Sequence, residues 1–239
     1  MPIGEVTLEN KPLSVVVLAS GNGSNAENIM EFASENAGLL RVRGVITDNP
    51  KAGVIERCKK YEVACVVIPF ERKLENTLKA DKRSHENLVI AKIKQLEGEW
   101  VLLAGYMRIL HSHFLRAFED VELGAFRVIN IHPSLLPSFP GKDAYQQAFK
   151  AGIKMSGITL HFVDDGVDTG PPILQECFPR FDDDSIDDFV ERGLRMEYLL
   201  YRQGLTYLCQ GRLSLQPVVG STRKIVHINK GIINGSHTA

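Results

Sequence analysis

The sequence lacks the features that mark membrane, secreted and nucleic-acid-binding proteins. Its longest strand-like apolar run, Trp100 to Met107, is far shorter than the roughly 20 residues that a membrane-spanning helix needs. The N-terminus has no basic segment followed by an apolar one, so no secretory signal is expected. Lys and Arg number 28 against 29 Asp and Glu, with no long basic run, which argues against nucleic-acid binding. We therefore expect a cytoplasmic protein, and a small anionic ligand is compatible with this composition.

Cysteine is also scarce, and the motifs of metal and triphosphate sites are missing. The four cysteines form no C-x-x-C pair and lie in or beside apolar runs, which predicts buried free thiols. His111 and His113 have no third ligand nearby, so no metal site is expected there. The aspartate-rich stretch at 181–189 lacks the glycine and the final Glu of a calcium loop, and it reads better as an acidic helix start capped by Asp184 or Ser185. No G-x-x-x-x-G-K motif is present.

What the sequence does have is an alternation of short β-branched runs and helical stretches. The strand-like runs are 13–19, 42–47, 63–68, 100–104 and 127–131, and the helical stretches are 25–34, 53–61, 82–96 and a face within 107–120. After Pro140, a short helix at 143–150 precedes two strand-like runs that only a Gly- and Asp-rich loop joins, which predicts an antiparallel pair; a long helix follows at 185–208. We predict an α/β fold: an open twisted sheet with a Rossmann-like parallel N-terminal half and an added antiparallel pair in the C-terminal half.

The chain contains no repeat and no linker rich in Pro, Gly or Ser. We expect a single domain over 13–211, a flexible N-terminal extension at 1–12 and a C-terminal extension at 212–239. Periodicity fades beyond Gly211, and the final INKGIINGSHTA is expected to be a loose tail.

The first chemistry-bearing segment is a glycine-rich turn, residues 21–26, between the first strand and the first helix. Gly21, Gly23 and Ala26 match the G-x-G-x-x-G/A pattern of dinucleotide sites, and Asp48 follows at the distance of a ribose-binding carboxylate. Such a turn binds any phosphate, because its backbone N–H groups and the helix dipole favour an anion. A nicotinamide cofactor, a terminal phosphate and an ordinary tight turn therefore all remain open at this point.

Neighbouring polar residues favour capture of a terminal phosphate, because Asn22, Ser24 and Asn25 add side-chain donors. Asn25 could instead serve as a helix cap, which is a purely structural role.

The second and third segments are RVINIHPSLLPSFPG and DDGVDTGPP. Asn130 and His132 are two residues apart at the end of a predicted buried strand, so their side chains share a face at the sheet edge where open α/β proteins bind ligands. A carboxylate from the aspartate-rich loop that reached His132 would favour the imidazolium. An amide, an imidazole and a carboxylate together suit oxyanion stabilisation and proton transfer in acyl transfer. Ordinary packing of the histidine and a solvated turn are the structural alternatives.

Four motifs together resemble one family. SGNGSN, AGYMRIL, NIHPSLLP and HFVDDGVDTGPPILQ, in this order and spacing, resemble phosphoribosylglycinamide formyltransferase from about Val15 to about Gly211. The resemblance implies a formyltransferase-type sheet and transfer of a formyl group from 10-formyltetrahydrofolate, a cosubstrate, to the amine of glycinamide ribonucleotide, without a metal.

The resemblance also implies site residues. Asn130, His132 and Asp168 fall on the catalytic Asn, His and Asp. The ribonucleotide contacts fall on Gly21, Asn22, Gly23, Ser24, Asn25, Arg83, Met107 and Glu197, of which Arg83 has little local identity to support it. The folate contacts fall on Arg108, Ile109, Leu110, Val163, Asp164, Asp165 and Val167. The stretch GKDAYQQAFKAG departs from the His-rich form that some members have.

The resulting hypothesis is direct attack of the amine on the formyl carbon. Asn130 and a cationic His132 would hold the developing oxyanion, and Asp168 would keep His132 charged and help to remove the amine proton. An NAD-dependent oxidoreductase that uses Gly21, Gly23 and Ala26 remains the alternative. Whether the chain forms a homodimer is left open.

Overall fold

The computed structural model describes residues 11–70, 78–221 and 223–230. Its strands are β1 (Leu13–Leu18), β2 (Leu40–Thr47), β3 (Cys65–Val67), β4 (Trp100–Leu103), β5 (Glu119–Asp120), β6 (Ala125–Phe126), β7 (Val128–His132), β8 (Met155–Phe162), β9 (Pro172–Pro179), β10 (Leu213–Pro217) and β11 (Lys224–Ile228). Its helices are α1 (Ser24–Glu35), α2 (Val54–Lys60), α3 (Leu78–Gln95), α4 (Ser112–Arg116), α5 (Ala144–Lys150) and α6 (Ile186–Cys209).

A seven-stranded sheet with the order β3-β2-β1-β4-β7-β8-β9 organises the fold. The five strands from β3 to β7 are parallel, whereas β8 pairs antiparallel with both β7 and β9. The predicted α/β architecture, a parallel half with an added antiparallel pair, is therefore confirmed.

The sheet separates two hydrophobic cores. On β1, Val15 and Val17 face a core shared with α1, α2, α5 and α6, whereas Val16 and Leu18 face a core shared with α3 and α4. All four side chains are fully buried, because helices cover both faces of the parallel strands. This continuous apolar run is what makes β1 a central strand.

Helix α6 begins with a capping box. The Ser185 hydroxyl accepts from the Asp188 N–H, and the Asp188 carboxylate accepts from the Ser185 N–H. The acidic helix start predicted at 181–189 is therefore confirmed, with Ser185 as the cap. No helix in the described ranges is long and apolar enough to cross a membrane.

The helix predicted within 107–120 is wrong in extent, because only Ser112–Arg116 is helical. The preceding residues are held as a loop: the Met107 N–H donates to the Ser20 hydroxyl at 2.9 Å, and the His111 N–H donates to Glu86 at 2.9 Å. These bonds anchor the backbone to the turn after β1 and to α3 in place of a continuing helix, and they leave Ile109 exposed.

The C-terminal region also differs from expectation. Strands β10 and β11 form an antiparallel hairpin, and Leu213, Leu215, Val226 and Ile228 pack against the main core. The alternation in LSLQP and KIVHI is the signal of this hairpin, but it spans only five residues on each side of a loop. The described part of the C-terminal extension is thus ordered against the domain, whereas residues 231–239 of the predicted tail and residues 1–10 lie outside the described residues. The boundaries 13–211 stay a prediction.

Candidate active site

A cleft of about 480 Å³ opens at the carboxyl ends of β4 and β7. Its walls are the segment after β4, the end of β7, the start of α5 and the loop between β8 and β9, and Asn25 and Glu197 reach it from α1 and α6. This is the edge where open α/β sheets bind ligands. Strand β8 holds the proline-containing loop after β7 in place. The Thr159 hydroxyl on that strand accepts from the Leu136 N–H and donates to the Ser134 carbonyl.

The structure brings Asn130, His132 and Asp168 together in this cleft. The His132 Nδ1 lies 3.3 Å from the Asp168 Oδ2, and the Asn130 Nδ2 lies 3.5 Å from the Asp168 Oδ1. His132 is buried and the Asp168 side chain is nearly so. Asp168 has a φ of 53°, a left-handed conformation that Asp tolerates better than most residues, and its Oδ2 also accepts from the Gly141 N–H at 2.7 Å. The carboxylate is therefore held on both sides.

The second ring nitrogen of His132 has a protein partner as well. Its Nε2 lies 2.8 Å from the Phe139 carbonyl oxygen, which can only accept. Phe139 has a φ of 51°, so strained backbone presents this carbonyl to the ring. Both ring nitrogens thus face acceptors. The expectation that His132 itself hydrogen-bonds the substrate oxygen stays a prediction.

His161, which the sequence reasoning missed, completes the cluster. It stands opposite Asn130 in the β7 and β8 pairing. Its Nδ1 donates to the Phe162 carbonyl at 2.8 Å, so its Nε2 is left to accept from the Asn130 amide at 3.2 Å. Burial lowers the pKa of His161, which favours this neutral form. The antiparallel register brings His161 beside Asn130, and a single sequence carries no signal of that register.

The glycine-rich turn leaves a run of backbone donors unpaired. Among the described residues, no N–H of residues 21–26 donates to another protein atom. Gly23 precedes the first helical residue with a φ of 77°, and a Cβ there would lie 2.5 Å from the Cβ of Val54. Gly21 has no atom within 4 Å of such a Cβ. The turn is therefore open on its outer side and closely packed against α2 on its inner side.

Asn25 does not cap helix α1, because no side chain accepts from its first turn. Its amide instead donates to Glu197, which is 4% exposed at the inner end of the cleft. Burial raises the pKa of Glu197, and the hydrogen bonds from Asn25 and Tyr145 oppose that rise. Predicted ribonucleotide contacts on α1 and α6 are thus in direct contact with one another.

Asp48 is bound to Arg108 and is not available to a ribose. The Arg108 Nε lies 2.6 Å from the Asp48 Oδ2, and the Asp48 side chain is only 3% exposed. The guanidinium also lies over the Phe70 ring, 4.2 Å from its centroid. The interpretation of the glycine-rich turn and Asp48 as a dinucleotide site is therefore not supported.

The remaining predicted residues divide by position. Those that line the cleft are Met107, Arg108, Ile109, Leu110, Val163, Asp164 and Val167. Met107 and Ile109 are more than half exposed at its mouth. Those that do not line it are Gly21, Asn22, Gly23, Ser24, Arg83 and Asp165. Arg83 is exposed on α3. Within the described ranges, no three His, Cys, Asp or Glu side chains are grouped so as to hold a metal ion.

The chain is similar to one group of known proteins over most of its length. It matches the family described as Formyl transferase over residues 13–205. It is 39% identical over 186 residues to the phosphoribosylglycinamide formyltransferase of Bacillus subtilis, and the aligned region covers 77% of this chain and 89% of that protein. The protein of the same name from Escherichia coli is 34% identical over 206 residues, 85% of this chain and 90% of that protein. The crystal structure of glycinamide ribonucleotide transformylase 1 from Symbiobacterium toebii superposes with a TM-score of 0.80 at 32% identity, over 92% of this chain and 95% of that chain.

Proposed function

The chain belongs to the phosphoribosylglycinamide formyltransferase family, and from that premise we propose how its cleft carries out the reaction. The enzyme transfers the formyl group of 10-formyltetrahydrofolate to the amine of glycinamide ribonucleotide in purine biosynthesis. The convergence of Asn130, His132 and Asp168 at one end of the cleft is the observation that supports this proposal.

The reaction is a direct acyl transfer. The amine nitrogen attacks the formyl carbon, a C–N bond forms and the carbonyl oxygen becomes an oxyanion; the bond from that carbon to N10 of the folate then breaks. The amine loses a proton and N10 gains one. No serine or cysteine is among the described residues that line the cleft, which supports direct attack over a covalent intermediate on the enzyme.

Asn130 supplies the hydrogen bond to the oxyanion. One N–H of its amide is fixed by the neutral His161, and the other makes only a 3.5 Å contact with Asp168. A contact of that length is weak, so this N–H is free to donate instead to an oxygen on which charge develops. His161 acts through Asn130 and is a positioning residue.

His132 supplies positive charge beside the reacting carbonyl. Its Nε2 bonds the Phe139 carbonyl and its Nδ1 lies 3.3 Å from Asp168, so the orientation of the ring is fixed before substrate arrives. Preorganised charge of this kind stabilises an oxyanion without reorganisation during the reaction. Asp168 holds that charge and accepts the amine proton through water.

The two substrates approach from different sides. The ribonucleotide phosphate binds the unpaired N–H groups of residues 21–26 at the N-terminus of α1, where the helix dipole favours an anion. The folate occupies the side lined by Arg108, Ile109 and Val163, with Leu110, Asp164 and Val167 close by. Arg83 and Asp165 stay predictions from the family resemblance, since neither lines the cleft.

The test is a turnover assay with glycinamide ribonucleotide and 10-formyltetrahydrofolate, alongside a parallel assay with formate and ATP. We expect turnover only with the folate. Asn130→Ala should lower kcat about 100- to 1000-fold with both KM values nearly unchanged, which is typical of a lost oxyanion donor. Turnover with formate and ATP alone, or a fully active Asn130→Ala, would contradict the proposal.

A further inference from the structure

A tyrosine hydroxyl contacts the buried carboxylate of Glu197 at the inner end of the cleft. Tyr145, on α5, donates its hydroxyl proton to the Glu197 Oε1, and Asn25, on α1, donates its amide to the Oε2. All three side chains line the cleft, and each is at least nine-tenths buried. Three separate helices therefore meet at one carboxylate.

Hydrogen bonds alone hold this carboxylate. Within the described residues, no Lys, Arg or His forms an ion pair with Glu197, and burial raises its pKa. Burial and the neighbouring Glu197 both raise the pKa of Tyr145, which keeps the phenol protonated and therefore a donor. Loss of the Tyr145 hydroxyl would leave one carboxylate oxygen without its donor in a buried site.

Helix α6 is shaped to admit the tyrosine ring. A Cβ on Gly193, one turn before Glu197, would lie 2.3 Å from the Tyr145 Cε1 and 2.4 Å from its hydroxyl oxygen. Glycine inside a helix costs roughly 0.5–1 kcal/mol relative to alanine, so its presence there needs a packing reason. The edge of the ring also packs on Phe189, one turn earlier, with ring centroids 6.1 Å apart and planes at 86°. Residues 189, 193 and 197 lie on one helix face and together fix the hydroxyl.

The Asn25 side chain carries this arrangement to the ribonucleotide side of the cleft. Its Oδ1 is buried without a partner among the described residues. The only hydrogen bond of the Asn25 side chain to a described residue is therefore the one that its Nδ2 donates to Glu197. Asn25 lies in the first turn of α1, within the run of unpaired N–H groups at residues 21–26. The position of Glu197 therefore bears on the turn that binds the phosphate.

We propose that Tyr145 is a positioning residue for the ribonucleotide: its hydroxyl holds Glu197 and, through it, Asn25 in the geometry that accepts hydrogen bonds from the substrate. This inference rests on the proposed function. It differs from the expectation drawn from the sequence, in which GKDAYQQAFKAG was only a departure from a His-rich form and Tyr145 had no role.

Tyr145→Phe tests the proposal because it removes the hydroxyl and keeps the ring. We expect KM for glycinamide ribonucleotide to rise about 10-fold, as for a lost hydrogen bond to a charged group, with kcat and the folate KM unchanged. Tyr201→Phe is the matched control: Tyr201 is buried on α6, one turn after Glu197, and its hydroxyl donates to the Leu103 carbonyl at 3.1 Å instead of to Glu197. It should lose similar stability and keep its ribonucleotide KM.

A double-variant cycle then tests whether Tyr145 acts through Glu197. Adding Tyr145→Phe to Glu197→Gln should raise the ribonucleotide KM far less than it does in the wild type, because the partner is already altered. An unchanged ribonucleotide KM in folded Tyr145→Phe, an equal rise in Tyr201→Phe, or independent effects in the cycle would each overturn the proposal. If Tyr145→Phe does not fold, Gly193→Ala, which keeps the hydroxyl group but displaces it together with the ring, takes its position in the same comparison. Wild-type enzyme that does not turn over glycinamide ribonucleotide would instead overturn the proposed function.

Discussion

Substitution by alanine is expected to destabilise the protein at Gly23 and to leave its stability almost unchanged at Gly21, although both residues belong to the glycine-rich turn. Gly23→Ala would place a methyl group 2.5 Å from the Val54 Cβ and 2.9 Å from its Cα. The Cα belongs to helix α2, so rotation of the valine side chain cannot relieve the clash. At Gly21 the methyl group would meet nothing within 4 Å. The first substitution therefore tests the fold, and the second tests access to the turn.

The expected cost at Gly23 has two parts. A φ of 77° is left-handed, which costs an alanine about 1–2 kcal/mol. Overpacking against α2 adds about 1–3 kcal/mol. The sum, about 2–5 kcal/mol, corresponds to a fall in Tm of roughly 4–20 °C for a domain of this size. Gly21→Ala should change the unfolding free energy by no more than about 0.5 kcal/mol.

Urea denaturation measures the unfolding free energy of each variant, and steady-state kinetics measures its KM for both substrates. Gly21→Val, with a larger side chain on the open side, should keep wild-type stability and the folate KM while it raises the ribonucleotide KM, because it obstructs approach to the unpaired N–H groups. Wild-type stability of Gly23→Ala would refute the packing argument. A stable Gly21→Val with an unchanged ribonucleotide KM would refute the assignment of the turn to the phosphate.

Three further variants test other parts of the site. Arg108→Lys should weaken binding of a non-reactive folate analogue in calorimetry, because a lysine cannot keep the Asp48 bond and the planar contact together; wild-type affinity would place Arg108 outside the folate site. His132→Ala should lower kcat about 100- to 1000-fold, and adding Asp168→Asn should lower it little more, whereas independent multiplication of the two losses would contradict their coupling. Because burial raises the folded pKa of Glu197, its contribution to stability is present at low pH and is lost as pH rises through that pKa. Glu197→Gln should therefore gain stability relative to wild type as pH rises above the ordinary pKa of a glutamate, about 4.3, in urea denaturation, and a constant difference would contradict this.

The parallel half of the sheet was predictable because its strands are buried on both faces. Runs such as VVVL in β1 are continuous and apolar, and helical stretches alternate with them at the lengths that crossovers need. The β10 and β11 hairpin was missed because its alternation is short and depends on packing against a core assembled from distant residues. The segment at 107–120 has apolar residues at the spacing of a helix face, namely Ile109, Phe114, Leu115 and Phe118. Hydrogen bonds to Ser20 and Glu86 nevertheless decide where the helix begins.

Three members of the candidate catalytic cluster, Asn130, His132 and Asp168, could be named from the sequence, but His161 and the hydrogen bonds of the cluster could not. The spacing of Asn130 and His132 predicts a shared face, whereas the neighbours of each ring nitrogen depend on the path of the following loop. The Phe139 carbonyl reaches His132 because Phe139 adopts a positive φ. His161 joins the cluster through the β7 and β8 register, which a single sequence does not give.

Direct transfer of the formyl group from the folate to the ribonucleotide amine is tested most directly by following the formyl carbon. A single turnover with 10-formyltetrahydrofolate labelled with ¹³C in the formyl group, analysed by mass spectrometry, shows where that carbon goes. We expect all of the label to enter the ribonucleotide product in the wild type, and we expect Asp168→Asn to slow this transfer while both substrates still bind. Release of the label as formate, or transfer at the wild-type rate by Asp168→Asn, would contradict these expectations.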